Sequence, residues 1–194
     1  MFYKFVIFLA RVFFLLFYRV EYKGVENIPK QDALIVCSNH ISLLDMFLFA
    51  PLIPRKIHFM AKKELFDIPL LNIILKSLGA YPVNRGHGDR NAGERTLQLL
   101  DEGKAVGIFP EGTRRKKNQS RIRPKAGTAL FALKSGAQLL PIGIFGSYRI
   151  FSKLKVVYGE PYKIDYPAGQ KATKAEMQKM VDDLMDKIYS FDQD

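Results

Sequence analysis

The sequence predicts an α/β fold in which a largely parallel central sheet is flanked by helices. Short apolar runs, often β-branched, alternate with segments whose apolar residues recur at helical spacing, and this alternation is typical of parallel strands joined by crossover helices. No internal repeat or Gly/Ser linker divides the 194 residues, so we expect one folded domain after the N-terminal segment. The predicted strands are 33–39, 56–61, 80–83, 105–110, 139–146 and 154–159, and the predicted helices are 43–52, 68–77, 90–102, 126–135 and the segment from Met177 to Ile188.

Residues 1–20 are predicted to form a membrane-associating helix, and residues 21–194 the globular domain. The fourteen residues between Lys4 and Arg19 are all apolar or aromatic except Arg11. At about 1.5 Å per residue this run spans roughly 21 Å, less than the roughly 30 Å hydrocarbon core of a bilayer, and an arginine near the bilayer centre costs about 2.5–3.5 kcal/mol. The pattern favours a helix in the membrane interface, or a shallow re-entrant one, over a tilted span, a buried core helix or an oligomer contact.

Positive charge favours an anionic partner. Lys4, Arg11 and Tyr18 recur every seven residues on one stripe of the predicted helix, and we expect that stripe to face lipid headgroups. The net charge is +11, and the first 170 residues hold 26 basic and 13 acidic residues. A phosphate ester, a lipid headgroup or a nucleic acid would each satisfy this excess.

The segment "SNHISLLDMF", residues 38–47, places His40 and Asp45 five positions apart after an apolar strand pattern. Ser42 followed by Asp45 is a capping-box variant, so the segment also fits a strand that simply runs into a capped helix. Within one helix, positions five apart are separated by roughly 140° and cannot meet. If His40 instead precedes the helix, its ring can fold back and donate to the Asp45 carboxylate. The second ring nitrogen is then available as a base.

The single cysteine, Cys37, offers a competing hypothesis in which a thiol nucleophile uses His40. A cysteine that ends an apolar run is more often a small core residue, and three positions along an extended chain place two side chains on opposite faces. The sequence therefore disfavours a cysteine nucleophile. One cysteine also excludes an internal disulfide and the cysteine spacings of zinc sites.

A second candidate site is the segment "IFPEGTRR", residues 108–115, which follows a predicted strand and supplies a Pro-Glu-Gly turn. Seven cations occur from Arg114 to Lys125 without an acid. Although such runs are often mobile, solvated loops, Gly112 permits close backbone approach and guanidinium groups match phosphate oxygens. We expect anion binding here; nucleic acid is an alternative, but this stretch has no aromatic residue to stack on bases. Glu111 either holds the arginines in place or binds a substrate hydroxyl.

A third candidate, "GAYPVNR", ends another predicted strand with Arg85. In a parallel sheet the strand ends after residues 39, 83 and 110 lie along one edge, where ligands of open α/β sheets bind. That edge is predicted to collect His40, Asp45, Arg85, Glu111 and Arg114. The other two histidines are expected elsewhere, His58 as a structural residue and His87 as an exposed one.

In sequence order, these segments resemble the four motif blocks of the glycerolipid acyltransferases, most closely the bacterial 1-acyl-sn-glycerol-3-phosphate acyltransferases. The blocks are "NHISLLD", "GAYPVNR", "FPEGTRR" and "LLPIGI", and the resemblance covers roughly residues 20–160. The His-x4-Asp motif is weak alone, but with Phe-Pro-Glu-Gly-Thr-Arg about seventy residues later it is highly specific. Arg115 departs from the serine common in the family, and Leu140-Pro141-Ile142 departs from Val-Pro-Val. Neither departure touches the supposed chemistry.

The resemblance implies transfer of a fatty acyl group from a thioester to the sn-2 hydroxyl of lysophosphatidate, giving phosphatidate, with residues 21–194 as the acyltransferase domain. By resemblance, His40 is the general base and Asp45 orients it. A thioester is already activated, so no enzyme nucleophile is required. The resemblance assigns substrate binding to Arg85, Glu111, Gly112, Thr113, Arg114 and Lys125, with the arginines on the glycerol phosphate.

The resemblance implies no metal and no bound cofactor, with acyl-CoA or acyl-carrier protein as co-substrate. The expected partners are lysophosphatidate, the thioester donor and anionic membrane lipids, and no nucleic acid; oligomeric state stays open. The expected location is the cytoplasmic face of the cell membrane, peripheral or monotopic through the N-terminal helix. Two alternatives remain: an acyltransferase of this family for another lyso-lipid, and a non-catalytic basic protein that binds membranes or RNA.

Overall fold

The computed structural model describes residues 2–84, 89–115, 119, 121–167 and 169–193, and over this part of the chain it confirms the α/β class. The strands are β1 Arg19–Lys23, β2 Leu34–Ser38, β3 Ile57–Lys62, β4 Tyr81–Val83, β5 Ala105–Ile108, β6 Gln138–Gly146 and β7 Lys153–Tyr158. The α-helices are α1 Phe2–Phe17, α2 Asp45–Phe49, α3 Pro69–Ser77, α4 Arg90–Asp101, α5 Gly127–Ser135 and α6 Lys174–Ser190. Single turns of 3-10 helix lie at Val25–Asn27, Ala50–Leu52 and Lys63–Phe66.

The described strands form one sheet in the order β1-β7-β6-β2-β5-β3-β4. Neighbouring strands run parallel except β6 and β7, which pair antiparallel. In β2, Val36 lies opposite Gly107 of β5 on one side and Leu140 of β6 on the other. All five residues of β2 are buried, as expected for a parallel strand covered on both faces. The carboxyl ends of β2 and β5 therefore lie side by side at one edge of the sheet.

The sheet separates two hydrophobic cores. Leu34 and Val36 of β2 belong to the core that α1 and α2 cover, whereas Ile35 and Cys37 belong to the core that α4, α5 and α6 cover. This division follows from the pleat, because successive strand residues point to opposite faces. The C-terminal helix α6 contributes Leu184, Met185 and Ile188 to the second core, each at most 4% exposed. Each such side chain contributes roughly 1.5–3 kcal/mol through burial.

The predicted boundary at residue 20 differs from the structure. Helix α1 ends at Phe17, and Arg19–Lys23 form β1, which pairs in parallel with β7 at the edge of the sheet. The predicted helix of residues 1–20 is therefore too long. The strand was missed because Val20 and Tyr22 prolong the apolar character of the helix. The alternation R-V-E-Y-K nevertheless has the period of two that strands follow.

Helix α1 packs directly on the rest of the molecule. Phe14 is 2% exposed and belongs to the first core. Near the other end of the helix, the Tyr3 hydroxyl accepts a hydrogen bond of 3.3 Å from the backbone N–H of Ile57, the first residue of β3. The helix thus lies across one face of the sheet and shares its core.

The outward face of α1 is apolar and carries two cations. Lys4 and Arg11 are exposed, but Tyr18 is 8% exposed and its hydroxyl donates to the carbonyl of Tyr148. The prediction that Tyr18 faces headgroups is therefore wrong, because this residue lies beyond the helix end and turns into the core. The exposed apolar side chains are Phe2, Phe5, Phe8, Leu9, Phe13, Leu15, Leu16 and Phe17. Within the described ranges, the structure contains no helix long and apolar enough to cross a membrane.

Candidate active site

His40 and Asp45 meet in the connection between β2 and α2. Asp45 is the first residue of α2, and its Oδ2 lies 2.8 Å from Nδ1 of His40. His40 is 8% exposed and Asp45 is completely buried. The chain leaves β2, turns, and enters the helix, so two positions five apart come together as the sequence predicts.

Among the residues that the structure describes, four donors bind the Asp45 carboxylate. Oδ2 accepts from the His40 ring and also from the backbone N–H groups of Ile41 (2.7 Å) and Ser42 (2.9 Å). Oδ1 accepts from the hydroxyl of Tyr148 (2.6 Å). Because a carboxylate can only accept here, we assign the ring proton of neutral His40 to Nδ1. The lone pair of Nε2 is then available to take a proton.

The His40 ring and backbone are held from several sides. The ring stacks on Phe109 with centroids 3.9 Å apart and an angle of 17° between planes. The His40 N–H donates to Oε2 of Glu111 (3.0 Å), and its carbonyl accepts from the N–H of Arg115 (2.8 Å). The preceding residue, Asn39, exchanges two side-chain hydrogen bonds of 2.8 Å with the backbone of Ile144. His40 is therefore fixed both to the segment that follows β5 and to β6.

Glu111 is buried between the His40 backbone and helix α6. It is 2% exposed, and while Oε2 accepts from the His40 backbone, Oε1 accepts from the hydroxyl of Tyr189 in α6 (2.7 Å). Burial and the hydrogen bond to Glu111 raise the pKa of Tyr189 well above its ordinary value, so this hydroxyl stays a donor at neutral pH. Both carboxylate oxygens thus have protein donors.

The basic segment after Glu111 lies beside the dyad. Gly112 has a φ of +69°, and a Cβ built on it would lie 2.9 Å from Cε of Lys125, so the lysine side chain crosses directly over this glycine. The backbone N–H of Lys125 donates to the carbonyl of Pro110 (2.9 Å). Thr113 and Arg114 are exposed. The side chains of Lys125 and Arg114 therefore lie on the surface next to the Pro-Glu-Gly turn.

Other cations of this segment bind the protein itself. Arg121 pairs with Asp186 of α6 (2.8 Å) and lies over the ring of Tyr189, 4.2 Å from its centroid. The Arg115 guanidinium lies 5.6 Å from the same ring. Lys116 and Lys117 lie outside the described residues. These contacts anchor one part of the basic run to α6.

The predicted edge collects some of the expected residues. His40 follows β2, and Glu111 and Arg114 follow the adjacent strand β5. β4 ends at the same edge but is separated from β5 by β3, a lateral distance of roughly 10 Å. Arg85, predicted to follow β4, lies outside the described residues.

The remaining cysteine and histidine candidates have structural environments. Cys37 is completely buried, and burial raises the pKa of its thiol well above the ordinary value, so a thiolate nucleophile is disfavoured. His58 lies 3.0 Å through Nδ1 from the carbonyl of Gly79, and burial lowers its pKa. This agrees with the structural role predicted for His58. His87 lies outside the described residues.

Three aromatic residues at the site were not singled out from the sequence. Phe109 immediately precedes the Pro-Glu-Gly turn, so its position beside the motif was an available signal. Tyr148 and Tyr189 are 103 and 78 positions from their carboxylate partners. Only the strand order and the packing of α6 bring these hydroxyls to the site.

Comparison with known proteins identifies the family. A family model described as Acyltransferase matches residues 19–145, more than half of the chain. The chain belongs to the acyltransferase family. The matched region includes the His40–Asp45 dyad and the turn that carries Glu111. These three buried residues therefore lie in the part of this acyltransferase that matches the family model.

Relatives and a solved structure resemble this acyltransferase over most of its length. The 1-acyl-sn-glycerol-3-phosphate acyltransferase of Borreliella burgdorferi is 35% identical over 133 residues, 67% of this chain and 52% of that protein. The protein of the same name from Bacillus subtilis is 32% identical over 148 residues, 73% of each chain. The crystal structure of the 1-acyl-sn-glycerophosphate acyltransferase PlsC from Thermotoga maritima has a TM-score of 0.72 at 27% identity, covering 97% of this chain and 79% of that one. The chain thus spans about half the length of the Borreliella protein and shares the fold of PlsC.

Proposed function

We propose that this acyltransferase transfers a fatty acyl group from a thioester to the sn-2 hydroxyl of 1-acyl-sn-glycerol-3-phosphate, giving phosphatidate. The observation that carries the proposal is the buried His40–Asp45 dyad, whose Nε2 has a lone pair available for a substrate proton. The names of the Borreliella, Bacillus and Thermotoga proteins support the acceptor. A buried, oriented imidazole suits a reaction in which a hydroxyl must lose its proton as it attacks.

In the proposed mechanism, the acceptor hydroxyl attacks the thioester directly. Nε2 of His40 takes the hydroxyl proton while the oxygen forms a bond to the thioester carbon. The resulting tetrahedral oxyanion collapses, the carbon–sulfur bond breaks, and the leaving thiolate takes the proton back from the imidazolium. Asp45, 2.8 Å from Nδ1, stabilises the transient imidazolium and fixes the ring orientation. Holding the two substrates together supplies a further part of the rate enhancement.

The basic surface beside the dyad suits the phosphate of the acceptor. Arg114 is exposed next to the Pro-Glu-Gly turn, and the side chain of Lys125 crosses Gly112. We assign the glycerol phosphate to these cations together with Arg85, and a contact near the acceptor to Thr113. Glu111 acts in this proposal by holding the His40 backbone, because both of its oxygens accept from protein donors.

An acceptor comparison tests the proposed function. Purified protein in detergent micelles is supplied with palmitoyl-CoA or palmitoyl-acyl-carrier protein, and with lysophosphatidate, lysophosphatidylcholine or lysophosphatidylglycerol. We expect product, measured by mass spectrometry, to form from lysophosphatidate at least about tenfold faster than from the phosphodiester acceptors, because a phosphate monoester presents more charge to Arg114. A preference for a phosphodiester would reassign the acceptor, and no product with any pair would favour a binding protein.

Substitution of Arg114 provides the matched test of phosphate binding. Arg114→Met is expected to raise KM for lysophosphatidate about tenfold, since a charge-assisted hydrogen bond contributes roughly 1.5–3 kcal/mol. Arg90→Met removes an exposed arginine of α4, paired with Glu94, and is expected to leave KM unchanged. Equal KM values for both variants would contradict the assignment of Arg114.

We also propose that α1 anchors the enzyme to the cytoplasmic face of the membrane, as a peripheral or monotopic protein. Its outward face exposes Phe8 (61%), Leu15 (78%) and Leu16 (62%) beside two cations. Such a face can enter the headgroup region while lysine and arginine reach anionic lipids. A single-chain lipid could then pass from the bilayer to the dyad.

Vesicle co-sedimentation tests whether α1 is the membrane anchor. Leu15→Glu is expected to reduce binding to phosphatidylglycerol-containing vesicles at least about fivefold, because it places a charge on the apolar face. Leu70→Glu, on α3 and 71% exposed, is the matched control and is expected to bind like the parent. Equal losses in the two variants would show that α1 is not the specific anchor.

A further inference from the structure

The two oxygens of the Asp45 carboxylate are held by different parts of the chain. Among the described residues, Oδ2 binds three groups of its own segment: the His40 ring and the backbone N–H groups of Ile41 and Ser42. Oδ1 accepts from Tyr148, in the connection between β6 and β7, at 2.6 Å. Tyr148 is therefore the contact through which the Asp45 carboxylate itself is tied to a distant segment.

Tyr148 is in turn held by α1 and the residue that follows it. The Tyr148 ring contacts Phe14, with centroids 6.4 Å apart, and Tyr18, with centroids 6.1 Å apart. Phe14 and Tyr18 also contact each other at 5.3 Å. The hydroxyl of Tyr18 donates to the carbonyl of Tyr148 at 3.2 Å. A continuous set of contacts thus runs from α1 through Tyr148 to Asp45.

Tyr148 is suited to be a permanent donor. Burial, and then the charge of the adjacent Asp45 carboxylate, raise its pKa well above the ordinary tyrosine value. The hydroxyl therefore keeps its proton at every pH at which an acyltransferase would be assayed. A short hydrogen bond from a neutral hydroxyl to a buried carboxylate is among the stronger protein hydrogen bonds.

We propose that Tyr148 is a positioning residue of the catalytic dyad, and that α1 holds it against Asp45. The inference rests on the proposed function, because it assigns Tyr148 to the same proton transfer. In this role Tyr148 connects two parts of the protein: helix α1, which we assign to the membrane, and the Asp45 carboxylate, which orients His40. Tyr148 touches neither substrate nor thioester in this role; it acts through Asp45.

Loss of the hydroxyl has a defined direction of effect. Without Tyr148 as donor, Asp45 keeps more negative charge toward the imidazole, and the protonated ring is stabilised relative to the neutral base. The other polar groups remain: Glu111 and the backbone of Arg115 beside His40, and Tyr18 and Tyr22 beside Tyr148. The base would hold its second proton to higher pH, so less of it would be active at neutral pH.

The first test is a pH–rate profile of Tyr148→Phe, which keeps the ring packed on Phe14 and Tyr18. We expect kcat at neutral pH to fall about tenfold with little change in KM, and the acid limb to move to higher pH. Tyr166→Phe, whose hydroxyl binds Glu176 on the surface, is the matched control and is expected to behave like the parent. A Tyr148→Phe profile superimposable on the parent profile would overturn the proposal.

A second measurement does not depend on turnover. Titration of the His40 ring by nitrogen-15 NMR is tractable because the chain has three histidines. We expect its midpoint to move to higher pH in Tyr148→Phe. A changed midpoint in a protein with no transferase activity would support the positioning role and count against the proposed function. An unchanged midpoint, even with lowered thermal stability, would show that Tyr148 is merely structural.

Phe14→Leu tests the proposed role of α1 in holding Tyr148 against Asp45. The substitution removes one ring contact of Tyr148 and keeps an apolar side chain. We expect the NMR midpoint and kcat to change in the same direction as in Tyr148→Phe, but by less. Ala10→Val, which alters α1 without altering a ring contact of Tyr148, is the control. A Phe14→Leu variant with the parental His40 midpoint and the parental kcat would show that α1 does not act on the dyad, and would overturn this part of the proposal.

Discussion

His40→Ala is expected to lower turnover at least about a thousandfold while the protein remains folded. The substitution removes the group to which the proposed mechanism assigns the acceptor proton, and a positioned general base is typically worth 10²–10⁴ in rate. The fold should tolerate the change, because Asp45 retains its donors from Ile41, Ser42 and Tyr148. The lost stacking on Phe109 would cost on the order of 1 kcal/mol.

Thiol release from acyl-CoA in the presence of lysophosphatidate measures this effect, with circular dichroism to verify folding. His58→Gln is the matched control, since His58 is half-buried and hydrogen-bonded to the carbonyl of Gly79. It is the second residue of β3, whereas His40 follows the carboxyl end of β2. The His58→Gln variant is expected to retain most of the activity. Near-parental turnover by folded His40→Ala would rule out the base assignment.

Asp45→Asn is expected to lower kcat at least about a hundredfold with a smaller loss of stability than Asp45→Ala. An asparagine oxygen can still accept from the His40 ring and the two backbone donors, while its amide can donate to the oxygen of Tyr148. The geometry would therefore persist, but the negative charge that stabilises the imidazolium would be gone. The substitution therefore tests the charge of the Asp45 side chain while leaving its shape nearly unchanged.

The pH–rate profile distinguishes this explanation from simple misfolding. Without the Asp45 charge, the imidazolium loses stabilisation, so the acid limb is expected to move to lower pH. Tyr148→Phe is expected to move it the opposite way, because that change leaves more charge on the carboxylate. If both variants moved the limb in the same direction, the electrostatic account of the dyad would be wrong.

The dyad could be predicted from sequence because it is local. His40 and Asp45 are separated by five positions, and the strand pattern before them and helix pattern after them leave few geometries for the connection. Gly112 and Glu111 were likewise found because a turn signal follows an apolar strand pattern. In each case a short stretch of chain determines the relevant geometry.

Contacts between distant segments could not be predicted in the same way. The order of the seven described strands decides that β5 lies beside β2 and that β4 lies farther away, and hydrophobic pattern does not specify strand order. The partners of Glu111 illustrate the consequence: a carboxylate amid cations was expected to meet arginines or substrate, but its oxygens accept from the His40 backbone and Tyr189. Tyr18 was misplaced because a helical stripe was extended past Phe17, where the helix ends.

Thiol release by the parent protein, with palmitoyl-CoA in the presence and absence of lysophosphatidate, tests the central claim most directly. Direct attack predicts steady release only when donor and acceptor are both present, with no acyl group on the protein by intact mass. A stoichiometric burst from donor alone, with an acylated protein, would contradict direct attack. Failure of lysophosphatidate to stimulate release from either acyl-CoA or acyl-carrier protein would contradict the proposed acceptor.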